Sequence, residues 1–168
     1  LTDDSLNGTP RRVAKMYVKE VFSGLNPKNR PVARLFENKY KYDQMLVEKD
    51  ITFYSHCEHH FVPIYGKAHV AYFSSGKVIG LSKINRIVQY FAKRPQVQER
   101  LTAQLADVIM EKLKPKGAIV VIDAEHLCLS MRGIKKPGAH IVTSAVRGIF
   151  RSKTSSRQEV LELIKKRD

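Results

Sequence analysis

The chain has 168 residues, enough for one domain with a core of its own. It is 43% hydrophobic and 27% charged, and no apolar run approaches the length of a bilayer span, which excludes an integral helical membrane protein. Its formal charge of +14 leaves nucleic acid, a membrane surface or small polyanions such as nucleotide triphosphates as partners on charge alone. There is no P-loop, no zinc finger with a full ligand set and no aromatic RNA-binding signature, so most of the 30 Lys and Arg read as solvated surface. The opening Thr2-Asp3-Asp4-Ser5 is polar and acidic, unlike a secretory signal, and two cysteines without an export signal fit the cytoplasm.

In chain order, Thr9 as cap and Pro10 in the first turn predict a helix over 9–23. Its stripe is Val13, Met16, Tyr17 and Val21, and Gly24 stops it. Residues 26–42 read as an irregular connection, so 1–50 is an N-terminal helix with its connection and 51–168 is the core. Residues 51–55 and 67–74 are β-rich and predict a hairpin with Cys57–His60 in its loop. Residues 77–80 extend its second arm. Ser82 caps a predicted helix with Ile84, Ile87, Val88 and Phe91 inward, and a second helix covers 95–113 behind Pro95. The run 118–124 predicts a buried strand that continues into His126 and Cys128. Pro137-Gly138 turns it back into a mate over 140–146. Ser156 and Glu159 form a capping-box pattern for a last helix, whose negative end Lys165-Lys166-Arg167 complements.

The predicted class is therefore α+β: a four-stranded antiparallel sheet with two helices packed on one face, plus N- and C-terminal helices. Its strand edges would be left open for other copies to cover.

The chemistry concentrates in Cys57-Glu58-His59-His60 and His126-Leu127-Cys128. Buried thiols or one disulfide would also explain two cysteines. However, Cys57 and His60 are spaced to grip one ion, and Cys128 offers a third ligand. A Cys₂His set with a fourth position for water is the pattern of catalytic zinc, and thiolate with imidazole suits Zn2+ better than magnesium or calcium. His59 and His126 are then left as acid–base groups beside the metal, or as groups that orient a ligand.

Taken together, Cys57-Glu-His-His60, Gly80-Leu-Ser-Lys-Ile-Asn-Arg86, Arg94-Pro-Gln-Val-Gln-Glu-Arg100, His126-Leu-Cys128 and Met131-Arg-Gly133 resemble GTP cyclohydrolase I. The resemblance runs in order from Thr9-Pro10 to the last helix. It implies a tunnelling fold (ββααββ), a toroidal homodecamer with active sites at subunit interfaces, and zinc-dependent conversion of GTP to 7,8-dihydroneopterin triphosphate and formate, the first step of folate or pterin synthesis. It matches Cys57, His60 and Cys128 to the zinc ligands and His59 and His126 to the acid–base histidines. Glu99, with Gln98 beside it, matches the reader of guanine's N1–H and 2-amino group, a pair that one carboxylate can accept.

Ser82 and Lys83, at a helix start suited to anions, match triphosphate contacts, as do Arg86 and Arg132. Arg12 and Lys15 match basic positions supplied by a neighbouring subunit. The expected partners are GTP and further copies of the chain, with no nucleic acid and no membrane. Two other readings compete. A structural zinc module that binds nucleic acid needs a fourth protein ligand. A related tunnelling-fold enzyme with another purine or pterin substrate, using cysteine as a covalent nucleophile, needs no Cys57–His60–Cys128 ligand set.

Overall fold

The computed structural model describes residues 3–165. Helices α1 (Asp4–Asn7) and α2 (Thr9–Met16) open it, with Gly8 rather than Thr9 in the cap position of α2. The helix expected over 9–23 stops being α-helical at Met16. It widens into a π turn (Tyr17–Val21), then tightens into 3-10 turns at Ser23–Leu25 and Pro27–Asn29. The cause is tertiary. No residue of α2 is buried, whereas Tyr17 and Phe22 pack on His56 and Phe61 with ring centroids 5.3 to 6.3 Å apart. The bond from Phe22 N–H to the Tyr17 carbonyl, 2.9 Å, closes the wide turn that puts both rings on one side.

Four long strands make the sheet: β2 (Met45–Cys57), β3 (Pro63–Phe73), β6 (Gly117–His126) and β7 (His140–Gly148). They pair antiparallel in the order β2-β3-β6-β7, and the two-residue β5 (Pro95–Gln96) adds in parallel to the end of β2. The sheet is thus five-stranded and mixed. Strand β2 starts six residues before the expected 51 because a bulge at Lys49-Asp50 breaks its alternation. Asp50 there has φ 61° and donates its backbone N–H to His69 Nδ1 at 3.1 Å.

Residues 77–79 do not extend the second arm. As β4 (Lys77–Ile79) they pair with β1 (Leu35–Glu37) in a separate two-stranded sheet. Pro95 likewise leaves the second long helix for β5, so helix α4 spans Gln98–Leu113, preceded by α3 (Leu81–Ala92), whose cap is Gly80 and not Ser82.

The main core lies between α3, α4 and one sheet face, with Phe53, Val70, Tyr72, Val120 and Ile122 opposite Ile84, Leu101 and Leu105. The helices α6 (Ile149–Ser152) and α7 (Thr154–Lys165) cover part of the other face. There Phe150 and Val160 pack on Met45, Ala71, Ile119 and Val121, so both faces are buried at that end. Ser156 is buried inside α7, which starts at Thr154, so it is not the cap. Lys166 and Arg167 lie outside the described residues.

Three rungs fix how α3 lies along β2. Asn85 bonds the Glu48 carboxylate, Gln89 Nε2 donates to the Thr52 carbonyl at 2.8 Å, and Ser55 Oγ donates to the Ala92 carbonyl at 2.7 Å. Helix and strand therefore run side by side in the same direction. The N-terminus of α3 sits at the start of β2, roughly 25–30 Å along the strand from Cys57. Helix α4 runs the other way and brings its N-terminus to the end where Cys57 lies.

A glycine secures the N-terminal segment. Gly24 N–H donates to the Lys93 carbonyl at 2.9 Å, and a Cβ there would stand 2.0 Å from the Tyr90 carbonyl oxygen. Arg94 closes the same joint, with Nε 2.8 Å from the Gly24 carbonyl and its guanidinium over Tyr90 and Phe91.

Candidate metal centre and active site

Register builds the site. Ile64 of β3 pairs with Ser55 of β2 on one side and with His126 of β6 on the other. The ends of β2 and β6 therefore meet across one strand, with Cys57 and His126 both on the helix-covered face. Beyond Cys57 the chain turns at once: Phe61, at φ 53°, returns its N–H to the Cys57 carbonyl at 2.8 Å, and Cys57 N–H reaches the Val62 carbonyl at 2.9 Å. The turn folds both histidines back, placing Nδ1 of His59 at 3.5 Å and Nδ1 of His60 at 3.9 Å from Cys57 Sγ.

Cys128 does not continue the strand as expected. The strand stops at His126 and Leu127–Ser130 coils into one helical turn, α5. The short rise of that turn keeps Cys128 close to the strand end. Ligand atoms of Cys57, His60 and Cys128 all lie within 4.8 Å of one another, and His59 stands outside that group. Both cysteines are free thiols.

This donor set fits a metal ion. Burial, together with the neighbouring Cys57 sulfur, pushes the Cys128 thiol above its ordinary value, and nearby Arg132 only partly opposes that. Two thiolates side by side are unfavourable until a cation stands between them, and a bound metal then deprotonates its thiols outright. Burial also holds His126 below the usual histidine value, with the Glu99 carboxylate pulling the other way. Burial thus favours the uncharged form of His126, and Glu99 is near enough to act on it.

Glu99 is exposed in the first turn of α4 and lines a groove of about 410 Å³ with Thr102, Thr143 and Arg147. Gln98, expected beside Glu99 as a substrate contact, points inward. It is 2% exposed, with its side chain bonded to His126 and to β6 and β7. Arg132 lies at this end, close enough to Cys128 to influence it.

Ser82, Lys83 and Arg86 lie at the other end of α3 and are not brought to the metal cluster within one chain. Ser82 and Arg86 are exposed, and Arg86 lines a cavity of about 420 Å³ with Asn85, Gln89 and Lys93. Arg12 is turned into its own helix start, where it donates to the Ser5 carbonyl and Thr9 Oγ1, both at 2.7 Å. Lys15 is exposed on α2. Among the described residues, no helix is long and apolar enough to cross a membrane.

A profile of the family described as GTP cyclohydrolase I matches residues 1–165. The chain belongs to the GTP cyclohydrolase I family. It is accordingly a hydrolase. It is 59% identical over 165 residues to a GTP cyclohydrolase 1 of Flavobacterium johnsoniae, covering 98% of this chain and 74% of that protein. To a GTP cyclohydrolase 1 of Bacillus subtilis it is 55% identical over 168 residues, covering 98% and 86%. A crystal structure of an archaeosine synthase QueF-like protein in the apo form aligns with a TM-score of 0.55 at 17% identity, over 64% of this chain and 97% of that one. That likeness extends to the fold alone.

Two supports of the site were missed in the sequence. Glu58 forms an ion pair with Arg100, whose Nε bonds Gln96 Oε1 at 3.0 Å and whose Nη2 bonds the Pro95 carbonyl at 3.1 Å, so α4 and β5 clamp the turn that carries His59 and His60. Tyr17, Phe22, His56 and Phe61 form an aromatic cluster under the same turn, with Tyr17 Oη 3.1 Å from the Phe61 carbonyl. Glu58 and Arg100 each fall within a motif quoted above, but their pairing spans 42 residues and leaves no periodic trace.

Proposed function

We propose that this chain hydrolyses and rearranges GTP to 7,8-dihydroneopterin triphosphate with release of formate, using zinc held by Cys57, His60 and Cys128. The observation that carries this reading is the approach of those three ligand atoms to within 4.8 Å, at the strand end that also bears His126. A zinc ion there would lower the pKa of a bound water to about 7 and make it a nucleophile for C8 of guanine.

The chain's own residues supply the rest. Glu99 accepts N1–H and the 2-amino group of guanine, which adenine cannot offer. Neutral His126 takes up a proton and returns it to N7 or N9 as the imidazole ring opens. His59, next to a ligand, serves hydrolysis and formate release. Ser82, Lys83, Arg86 and Arg132 hold the triphosphate, with Arg12 and Lys15 contributed from a neighbouring copy.

Because α3 carries Ser82, Lys83 and Arg86 far from Cys57, the reading requires that one chain's metal end meet another chain's α3. A toroidal homodecamer of tunnelling-fold (ββααββ) subunits, with active sites between them, meets that requirement and covers the open edge of β7. The product is the starting compound for folate or other pterins, and nucleic acid and membranes play no part.

The test is GTP turnover by the purified protein, following formate and the dihydropterin chromophore together, with and without a zinc chelator. Both products should appear, and both should vanish on chelation. Neither product from folded, zinc-loaded protein would overturn the reading.

A further inference from the structure

We infer that Gln98 is a positioning residue that fixes which ring nitrogen of His126 carries the proton, and that it does not read the substrate. The inference rests on the proposed role of His126 as the group that moves a proton. Gln98 opens α4 and is buried in the seam between α4, β6 and β7.

Every bond direction around it follows from groups that can only accept. Gln98 Nε2 lies 3.1 Å from the Ile122 carbonyl oxygen and 2.8 Å from that of Ile141, so this end of the amide is the NH₂. Thr102 gives its only hydroxyl proton to the main-chain carbonyl of Gln98 at 2.7 Å. In the 2.7 Å pair of Thr102 and Thr143, Thr143 is therefore the donor, and its oxygen is left to accept from Gln98 Nε2 at 3.1 Å. The other end of the amide, Oε1, must then be an acceptor. It lies 2.7 Å from His126 Nε2. An amide oxygen has no proton to give, so His126 Nε2 carries one, and Nδ1 is the nitrogen left to exchange a proton.

A proton-moving histidine whose two nitrogens exchanged roles would present the wrong one half the time. Here two backbone carbonyls, one on β6 and one on β7, decide the matter through a single buried amide. Such an orienting partner acts on the chemical step more than on binding, because it touches the histidine and not the nucleotide.

The experiment uses full-length, zinc-loaded protein with ¹⁵N-labelled histidine, read by NMR, and steady-state kinetics with GTP. In the wild type, His126 should show a single Nε2–H tautomer. In Gln98→Leu it should show a mixture containing Nδ1–H. Turnover should fall about 100-fold with KM changed less than about threefold and with zinc content unchanged. Thr143→Val, which removes one donor from the network and leaves Oε1 in place, should keep the wild-type tautomer.

A wild-type spectrum with His126 protonated at Nδ1 would overturn the inference without recourse to any variant. So would a Gln98→Leu protein whose KM rises while turnover holds, since Gln98 would then be reading substrate. The tautomer is observable whether or not GTP turns over. Failure of the proposed reaction, seen as no formate from the wild type, is therefore told apart from failure of the inference.

Discussion

The two ends of the α3–β2 pair differ in what one chain completes. At the Cys57 end, three atoms that could hold a metal ion, with His126, Gln98 and Glu99, converge from β2, α4 and the β6–α5 junction, and an Arg100–Glu58 ion pair braces the turn between. At the α3 N-terminus, Ser82, Lys83 and Arg86 present hydroxyl and cationic groups at the opposite end of α3 from that cluster. Covalent continuity and strand register assemble the first set. The rungs from Asn85, Gln89 and Ser55 hold the second set at the far end of β2, and under the proposed function another copy of the chain would bring it to a metal end.

The largest effect expected comes from breaking both ends at once in different chains. Cys128→Ser alone should lose zinc and turnover by metal analysis and formate release, while size-exclusion chromatography shows the oligomer intact. Arg86→Ala alone should keep its zinc and bind GTP poorly. Co-assembled from unfolded mixtures, the two should regain roughly a quarter of wild-type activity by random pairing of intact ends across a heterologous interface. No recovery would mean that both ends serve the same chain's site and that the comparison is mistaken.

A smaller effect separates base reading from triphosphate holding. Glu99→Ala should cut kcat/KM for GTP about 10- to 100-fold, the scale of losing hydrogen bonds to a charged group. It should also erase the preference for GTP over inosine triphosphate, which lacks the 2-amino group. Uniform weakening toward both nucleotides in competition kinetics would remove Glu99 from that role.

The smallest effect concerns Glu48, which braces α3 through Asn85. Burial raises its carboxyl above the ordinary value, only partly offset by the Asn85 bond, and among the described residues its second oxygen is buried without a partner. A carboxyl raised in the fold costs stability once pH climbs past its unfolded value near 4.5, and the cost is absent below it. Relative to wild type, Glu48→Gln should therefore gain about 1–2 °C in Tm at pH 7 over its standing at pH 4, by scanning calorimetry. An unchanged difference across that range would show that the carboxylate is paired in the assembled protein.

Much of this is legible in the sequence. The Cys57–His60 spacing and the inward Ile84, Ile87 and Val88 are local patterns that the structure keeps, whereas Cys128 leaves the strand that carries His126. What failed had a tertiary cause. The bulge at Lys49-Asp50 masks the first half of β2 because one added residue inverts the alternation that marks a strand. Pro95 has the look of a helix start, yet pairing with the end of β2 takes it into the sheet. Gln98 stands next to Glu99 in the chain, but successive helix positions point about 100° apart, so one faces the groove and the other the core.

By itself, then, the sequence determined the class of elements and the identity of the donors, since periodicity and side-chain chemistry are carried residue by residue. The tertiary structure alone decided which donors meet. It set Cys57 beside Cys128 through the shared partner strand β3, sent Gln98 inward to His126, and kept Ser82, Lys83 and Arg86 at the opposite end. Proximity between residues far apart in the chain depends on register and packing direction, and neither is written in any single stretch of residues.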